Sequence, residues 1–141
     1  MNRTLANNVL RFAGLLVLQI FLFDEIAFLG FIDPMIYILF IVLFPVENKR
    51  WSFLLLAFGL GIILDTFQNT GGAHAAAALT VAFTRPIWLR LVYGESYRMK
   101  NLKVIRTPID RLLLFLTLCI LAHHLVFFSL IIFNSSQILY T

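Results

Sequence analysis

The chain has few charged residues and almost no cysteine. Only 13% of its 141 residues are charged, whereas soluble domains usually carry about 25%. The single cysteine, Cys119, lies in an apolar run, so the sequence predicts no disulfide framework. It also lacks a serine beside a base, paired carboxylates and a glycine-rich phosphate loop. We therefore expect neither an enzyme nor a cofactor.

Apolar residues take the place of the missing charge. They make up 61% of the chain, more than a soluble core of this length can bury. We predict an all-α polytopic membrane protein that forms one transmembrane domain over residues 1–141. Five apolar stretches predict five membrane helices, at residues 9–23, 34–46, 51–64, 73–92 and 112–133. The second and third are short for a bilayer core ~30 Å thick, so we expect local thinning there.

The sign of the charge alternates from one connection to the next. Residues 24–33 and 65–74 contain acids but no lysine or arginine, whereas residues 47–50 and 90–111 are rich in both. Connections rich in lysine and arginine stay in the cytoplasm, so we predict a cytoplasmic N-terminus. The net charge of +4 then reflects orientation and anionic lipid, and we expect no nucleic-acid partner.

The longest polar stretch, residues 94–111, is basic and belongs to the predicted cytoplasmic side. It also holds enough apolar residues to lie on the inner leaflet. The apolar segment 26–32, by contrast, we expect in the outer interface, leading into the second span. A basic segment of this kind suits a docking surface for a protein as well as lipid.

Small residues recur four positions apart in two of the predicted helices. The pairs are Ala57 with Gly61, Ala73 with Ala77, and Ala78 with Ala82. Such pairs let helix backbones touch, although alanine can also simply fill an apolar helix. We favour close packing of the third and fourth helices, because the connection between them is short.

Asp65 stands at the end of the third apolar stretch. A carboxylate at a helix C-terminus opposes the helix dipole, so it needs another partner. One interpretation is a solvated loop acid. The other is a clasp, in which Asp65 binds His74 or the open amides that follow Gly71 and Gly72. We favour the clasp, because carboxylates at a membrane edge usually have a partner.

Four more polar side chains lie within the predicted spans. We expect Gln19 to form a hydrogen bond between helices, and Arg85 to extend to the headgroups. His123 and His124 lie at the middle of the last span and point about 100° apart. Cys119 shares a face with His123, but no third ligand is evident, so we predict no metal site. We expect both histidines to bond to neighbouring helices or to a partner protein.

An ordered set of these residues resembles a known family. In chain order the set is Leu18-Gln19, Pro34 and Pro45 around the second span, Gly61 to Asp65, and Gly72-Ala73-His74 before an alanine-rich span. It resembles MreD, the rod-shape-determining integral membrane protein of bacteria, over residues 10–93. The resemblance implies a non-enzymatic scaffold of the cell-elongation complex in the bacterial inner membrane, which supports cell shape and lateral peptidoglycan synthesis. The implied partners are MreC and, further, MreB, RodA and a class B penicillin-binding transpeptidase, besides membrane lipid.

The family usually has six helices and a cytoplasmic C-terminus. This sequence ends soon after its fifth predicted span, so the resemblance implies either a missing sixth helix or a short form. The six-helix family also looks like the substrate-binding subunits of energy-coupling-factor vitamin transporters, which is the alternative function. Those subunits dock through an Ala-xxx-Ala motif on the first span, and here Ala6 and Ala13 are seven apart. We therefore favour the scaffold.

Overall fold

The computed structural model describes residues 3–23, 35–44, 50–98 and 102–138. Every regular element in these ranges is helical, which confirms the predicted all-α class. The α-helices are α1 (Arg3–Leu18), α2 (Ile38–Leu43), α3 (Arg50–Gln68), α4 (Ala73–Tyr93) and α5 (Ile109–Ile138). Helix α1 continues into a π-helical turn, Gln19–Phe23, and two short 3₁₀ turns, Glu95–Arg98 and Val104–Arg106, lie between α4 and α5.

Three of these helices are long and apolar enough to cross a membrane. They are α3, α4 and the part of α5 up to Asn134. Between 22% and 39% of their most apolar windows is buried inside the protein, so most of their apolar surface is open to lipid or to other proteins. A soluble protein rarely leaves so much apolar helix surface uncovered, and the three helices therefore suit a bilayer.

The first predicted span, residues 9–23, is helical throughout, because α1 continues through the π-helical turn to Phe23. In the second predicted span, α2 covers only 6 residues. Three predicted features lie outside the described residues: the outer connection 24–33, its interfacial segment 26–32, and the cytoplasmic placement of residues 47–49. The count of five spans stays a prediction.

Helix α3 is longer than predicted. The expected end at Leu64 is wrong, because the helix continues through Asp65 to Gln68 and has 19 residues. At about 1.5 Å per residue it reaches roughly 28 Å, so this span requires little thinning of the bilayer. The polar residues of its last turn can remain helical because they bond to the next helix, as described below.

Helix α4 lies at the centre and packs against α2, α3 and α5. The close packing predicted for the third and fourth spans is confirmed. A Cβ atom on Gly61 would lie 2.3 Å from the Cα of Ala75, so only glycine permits this approach. Ala57 and Ala78 are completely buried in the core that α3 and α4 share, whereas Ala77 is buried against Phe127 of α5.

Helix α5 presents one narrow buried face to this core. Its buried residues Phe115, Cys119, His123 and Phe127 are spaced four apart, which places them on one face. The segment before α5 packs at the C-terminal end of α4, away from the α3–α4 turn. There the hydroxyls of Tyr93 and Thr107 form a hydrogen bond of 3.0 Å.

Candidate functional site

One carboxylate holds the turn between α3 and α4. Asp65 accepts hydrogen bonds from the backbone amides of His74, through Oδ1, and Ala75, through Oδ2, both at 2.9 Å. Its Oδ1 also accepts one from the Thr70 hydroxyl. The predicted contact between Asp65 and the open amides of the next span is confirmed. His74 takes part through its backbone amide and not through its ring.

The carboxylate replaces the side chain that normally caps a helix. The N-cap of α4 is Gly72, with φ of 96° and no side-chain cap. Gly71 has φ of 63°, so both glycines occupy the left-handed region that the tight turn requires. Helix N-termini carry partial positive charge, and the amides of α4 therefore offset the unfavourable position of Asp65 at the C-terminus of α3.

A row of buried polar side chains begins beside this clasp. The Nε2 of His74 hydrogen bonds to the Oε1 of Gln68, and its Nδ1 bonds to the Tyr37 hydroxyl at 3.0 Å. The same hydroxyl bonds to the Nε2 of His123. We call these four residues the polar row. It joins α3, α4, the N-cap of α2 and α5.

Gln68 fixes the direction of the hydrogen bonds along the polar row. An amide oxygen only accepts, so His74 donates from Nε2 and, as a neutral imidazole, accepts at Nδ1. Tyr37 then donates to His74 and accepts from the Nε2 of His123. The Nδ1 of His123 is left as an acceptor, and within the described ranges this buried atom has no partner.

The three rings of the polar row are fully buried, whereas Gln68 at its end is partly exposed. Tyr37, His74 and His123 are all 0% exposed, and the ring of Phe127 packs 4.5 Å from that of His74. Hydrogen bonds in such a low-dielectric interior are stronger than in water, so the row can hold helices in register. In this conformation no substrate reaches its three rings.

Gln19 joins the first helix to the second. Its Oε1 accepts hydrogen bonds from the backbone amides of Ile36, at 2.8 Å, and Tyr37, at 3.4 Å. These amides begin α2 and have no partner within their own helix. The predicted role of Gln19 in bonding between helices is confirmed. Its buried Nε2 has no partner within the described residues.

Arg85 does not extend to the headgroups, so that prediction is wrong. The side chain is 4% exposed and donates to the backbone carbonyls of Val42, at 3.0 Å, and Phe44. The last carbonyl groups of a helix lack hydrogen-bond partners within that helix. Helix α2 is too short to bury the carbonyl groups at its own end. The guanidinium therefore turns inward to cap α2 and lies 5.1 Å from the centre of the Phe53 ring.

Within the described residues His124 bonds to its own helix and not to a neighbouring one, so for this residue the contact with a partner protein stays a prediction. Its Nδ1 donates to the carbonyl of Ile120, at 2.9 Å, in its own helix. His123 and His124 do point in different directions, since the first is buried and the second is partly exposed. Within the described part of the chain, no three His, Cys, Asp or Glu side chains cluster as a metal site requires.

Two members of the polar row had no clear sequence signal. Tyr37 lies in an apolar run near a predicted span end, where a tyrosine is equally expected at the membrane interface. No neighbouring residue in the sequence indicates that its hydroxyl has a buried partner. Gln68 lay beyond the predicted end of the third span. The available signal was helical spacing, because Gln68 follows Leu64 by four positions and therefore shares the buried face of α3.

No protein-family model, curated protein or solved structure matches this chain. The function therefore has to be inferred from the residues and their contacts.

Proposed function

We propose that this chain is a non-enzymatic membrane scaffold of the MreD type, part of the bacterial cell-elongation complex. In this proposal it spans the inner membrane five times, with its N-terminus in the cytoplasm. It binds MreC directly and supports MreB, RodA and a class B penicillin-binding transpeptidase in lateral peptidoglycan synthesis. The ordered residues that resemble the family, and the use that the fold makes of them, support this proposal.

The observation that carries the proposal is the internal use of those residues. Gln19 caps α2, Gly61 permits the contact of α3 with α4, and Asp65 caps α4. His74 is enclosed in the polar row. A transporter subunit would instead direct such polar groups into an open pocket that binds its substrate. Residues that build a rigid bundle fit a protein that acts through its outer surface.

Helix α5 offers such a surface for the membrane helix of MreC. Its exposed apolar residues form a stripe with spacings of three, four and seven: Leu114, Leu121, Leu125, Phe128 and Ile132. These spacings place the side chains on one face, as in the seam of a coiled coil. The stripe lies on the side of α5 opposite its buried residues, and its side chains are 40% exposed or more.

The segment before α5 offers a different surface, which suits a cytoplasmic partner. Lys103, Arg106 and Arg111 are exposed, while Val104 anchors the segment in the core at 4% exposure. A basic surface attracts an acidic partner at long range, and that attraction falls with ionic strength. We assign the MreB contact here.

The test is depletion of the protein in its own host, followed by complementation. Depletion should turn rods into rounded cells, and the wild-type gene should restore them. The L121A/L125A variant should reduce co-purification of MreC and restore shape poorly. The matched control is I87A/L91A, which removes the same apolar volume from two exposed positions, also four apart, on α4.

Two outcomes would count against the scaffold. If depleted cells keep a normal rod shape and reconstituted protein with a coupling ATPase shows saturable vitamin uptake, the chain belongs to the transporter class. If both double variants reduce MreC binding equally, the effect comes from general loss of apolar surface, and the assignment of MreC to the α5 stripe is wrong.

A further inference from the structure

A groove of about 700 Å³ opens between α3 and α4. Its walls are apolar and include Trp51, Leu55 and Phe58 from α3 and Phe83 from α4. Among the described residues that line it, Arg50, at the first position of α3, is the one with a charge. The groove therefore combines a long apolar surface with a cation at one end.

The sequence of α3 and α4 explains why the groove lies where it does. At Gly61 and Ala75 the two backbones touch. Closer to Arg50 the small residues Ala57, Ala78 and Ala82 remain buried, whereas the bulky residues that follow two of them, Phe58 and Phe83, are exposed. Small residues at the contact let the two helices pack closely, so the exposed bulky side chains form the walls of a groove that opens to the surroundings.

Arg50 is positioned but not neutralised. Its Cζ lies 5.0 Å from the centre of the Phe83 ring, and its Nη2 donates a long 3.4 Å hydrogen bond to the Phe83 carbonyl. The ring and the carbonyl hold the guanidinium at the end of the groove. In the described part of the chain Arg50 has no carboxylate partner, so N–H groups remain to bind an anion.

We propose that this groove binds one anionic phospholipid, with its headgroup phosphate on Arg50 and an acyl chain along the apolar walls. Arg50 and Trp51 begin a membrane-length helix, which places them at the depth of the headgroups, where tryptophan and arginine concentrate. The apolar walls run from that depth into the hydrocarbon. This arrangement matches the order of parts in a phospholipid, and it does not depend on the scaffold function.

Trp51 provides a local probe for the test. The chain has only two tryptophans, so the W88F variant reports on Trp51 alone. The purified protein is reconstituted in phosphatidylcholine vesicles that contain brominated phosphatidylglycerol or, in parallel, brominated phosphatidylcholine. Bromine quenches tryptophan on contact, and competition between the two lipids gives their relative affinity. We expect about fivefold preference for phosphatidylglycerol, the factor that one basic residue provides near an anionic surface.

Variants distinguish the contribution of the Arg50 charge from that of the apolar groove. In the W88F background, R50Q should reduce the preference to about one, and R50K should keep most of it, because lysine retains the charge. T80F fills the groove and should reduce quenching by both lipids. The control is R106Q, which removes the same charge from an exposed position outside the groove and should leave the preference unchanged.

Three results would overturn the proposal. Equal affinity for the two lipids in the W88F protein would show that lipids contact the groove without selectivity, as they contact any lipid-facing surface. Equal loss of preference in R50Q and R106Q would assign the effect to the general basic field. Protection of Trp51 from both lipids, with a second protein in the preparation, would make the groove a protein interface.

Discussion

Replacement of Asp65 by alanine should destabilise the bundle, because this side chain caps α4 from α3. The D65A variant removes three hydrogen bonds to a carboxylate, from two backbone amides and the Thr70 hydroxyl. Hydrogen bonds to charged groups contribute roughly 1.5–3 kcal/mol each, but Asp65 is partly exposed, which screens them. Loss of an N-cap alone costs about 0.5–2 kcal/mol. We expect a loss of about 2–4 kcal/mol in the free energy of unfolding.

The D65N variant should lose about half as much, because its one side-chain oxygen still accepts a hydrogen bond. Cys119 provides the assay, since it is the only cysteine and is buried. A thiol-reactive fluorophore will label it only as the bundle unfolds in detergent, during heating or titration with denaturant. The control is D110A, which removes an exposed acid from the first turn of α5 and should cost less than about 1 kcal/mol. Wild-type stability of D65A would refute the clasp.

Three further predictions concern packing, the polar row and topology. In α3, G61A should lower the unfolding free energy by about 1–3 kcal/mol through collision with α4, measured by the same labelling, whereas G59A meets nothing within 4 Å and should be neutral or stabilising. H123F should cost about 0.6–2 kcal/mol by breaking the polar row, and full thermal stability would contradict it. In protein free of Cys119, an impermeant thiol reagent applied to intact cells should label a cysteine at position 69 but not at 49, and the reverse pattern would invert the proposed orientation.

The sequence was sufficient where one local rule decided the outcome. The helix dipole required a partner for Asp65, and the nearest free amides were those after the two glycines. The small residues around Gly61 likewise predicted the contact of α3 with α4. Both contacts join helices that are adjacent in the chain, so a short connection limits the possible partners.

The sequence was insufficient where the partner was distant. Arg85 caps a helix more than 40 positions earlier in the chain, as its bond to Val42 shows. Tyr37 meets His123 across 86 positions. Nothing near Arg85 indicates that α2 ends beside it, and the preference of arginine for headgroups is a statement about isolated helices. Tertiary packing decided these cases.

Helix α2 is held in place by side chains from other parts of the chain, and this has a consequence for how the protein is made. This helix has 6 residues, too few for stable insertion into a bilayer by itself. Gln19 precedes it, but Arg85 and His123 leave the ribosome well after it. Since synthesis proceeds from the N-terminus, we expect α2 to stay undocked until most of α5 has been translated. Ribosome-stalled chains that end before α4 should therefore expose residues 38–43 to protease or chemical labelling, and full-length chains should protect them.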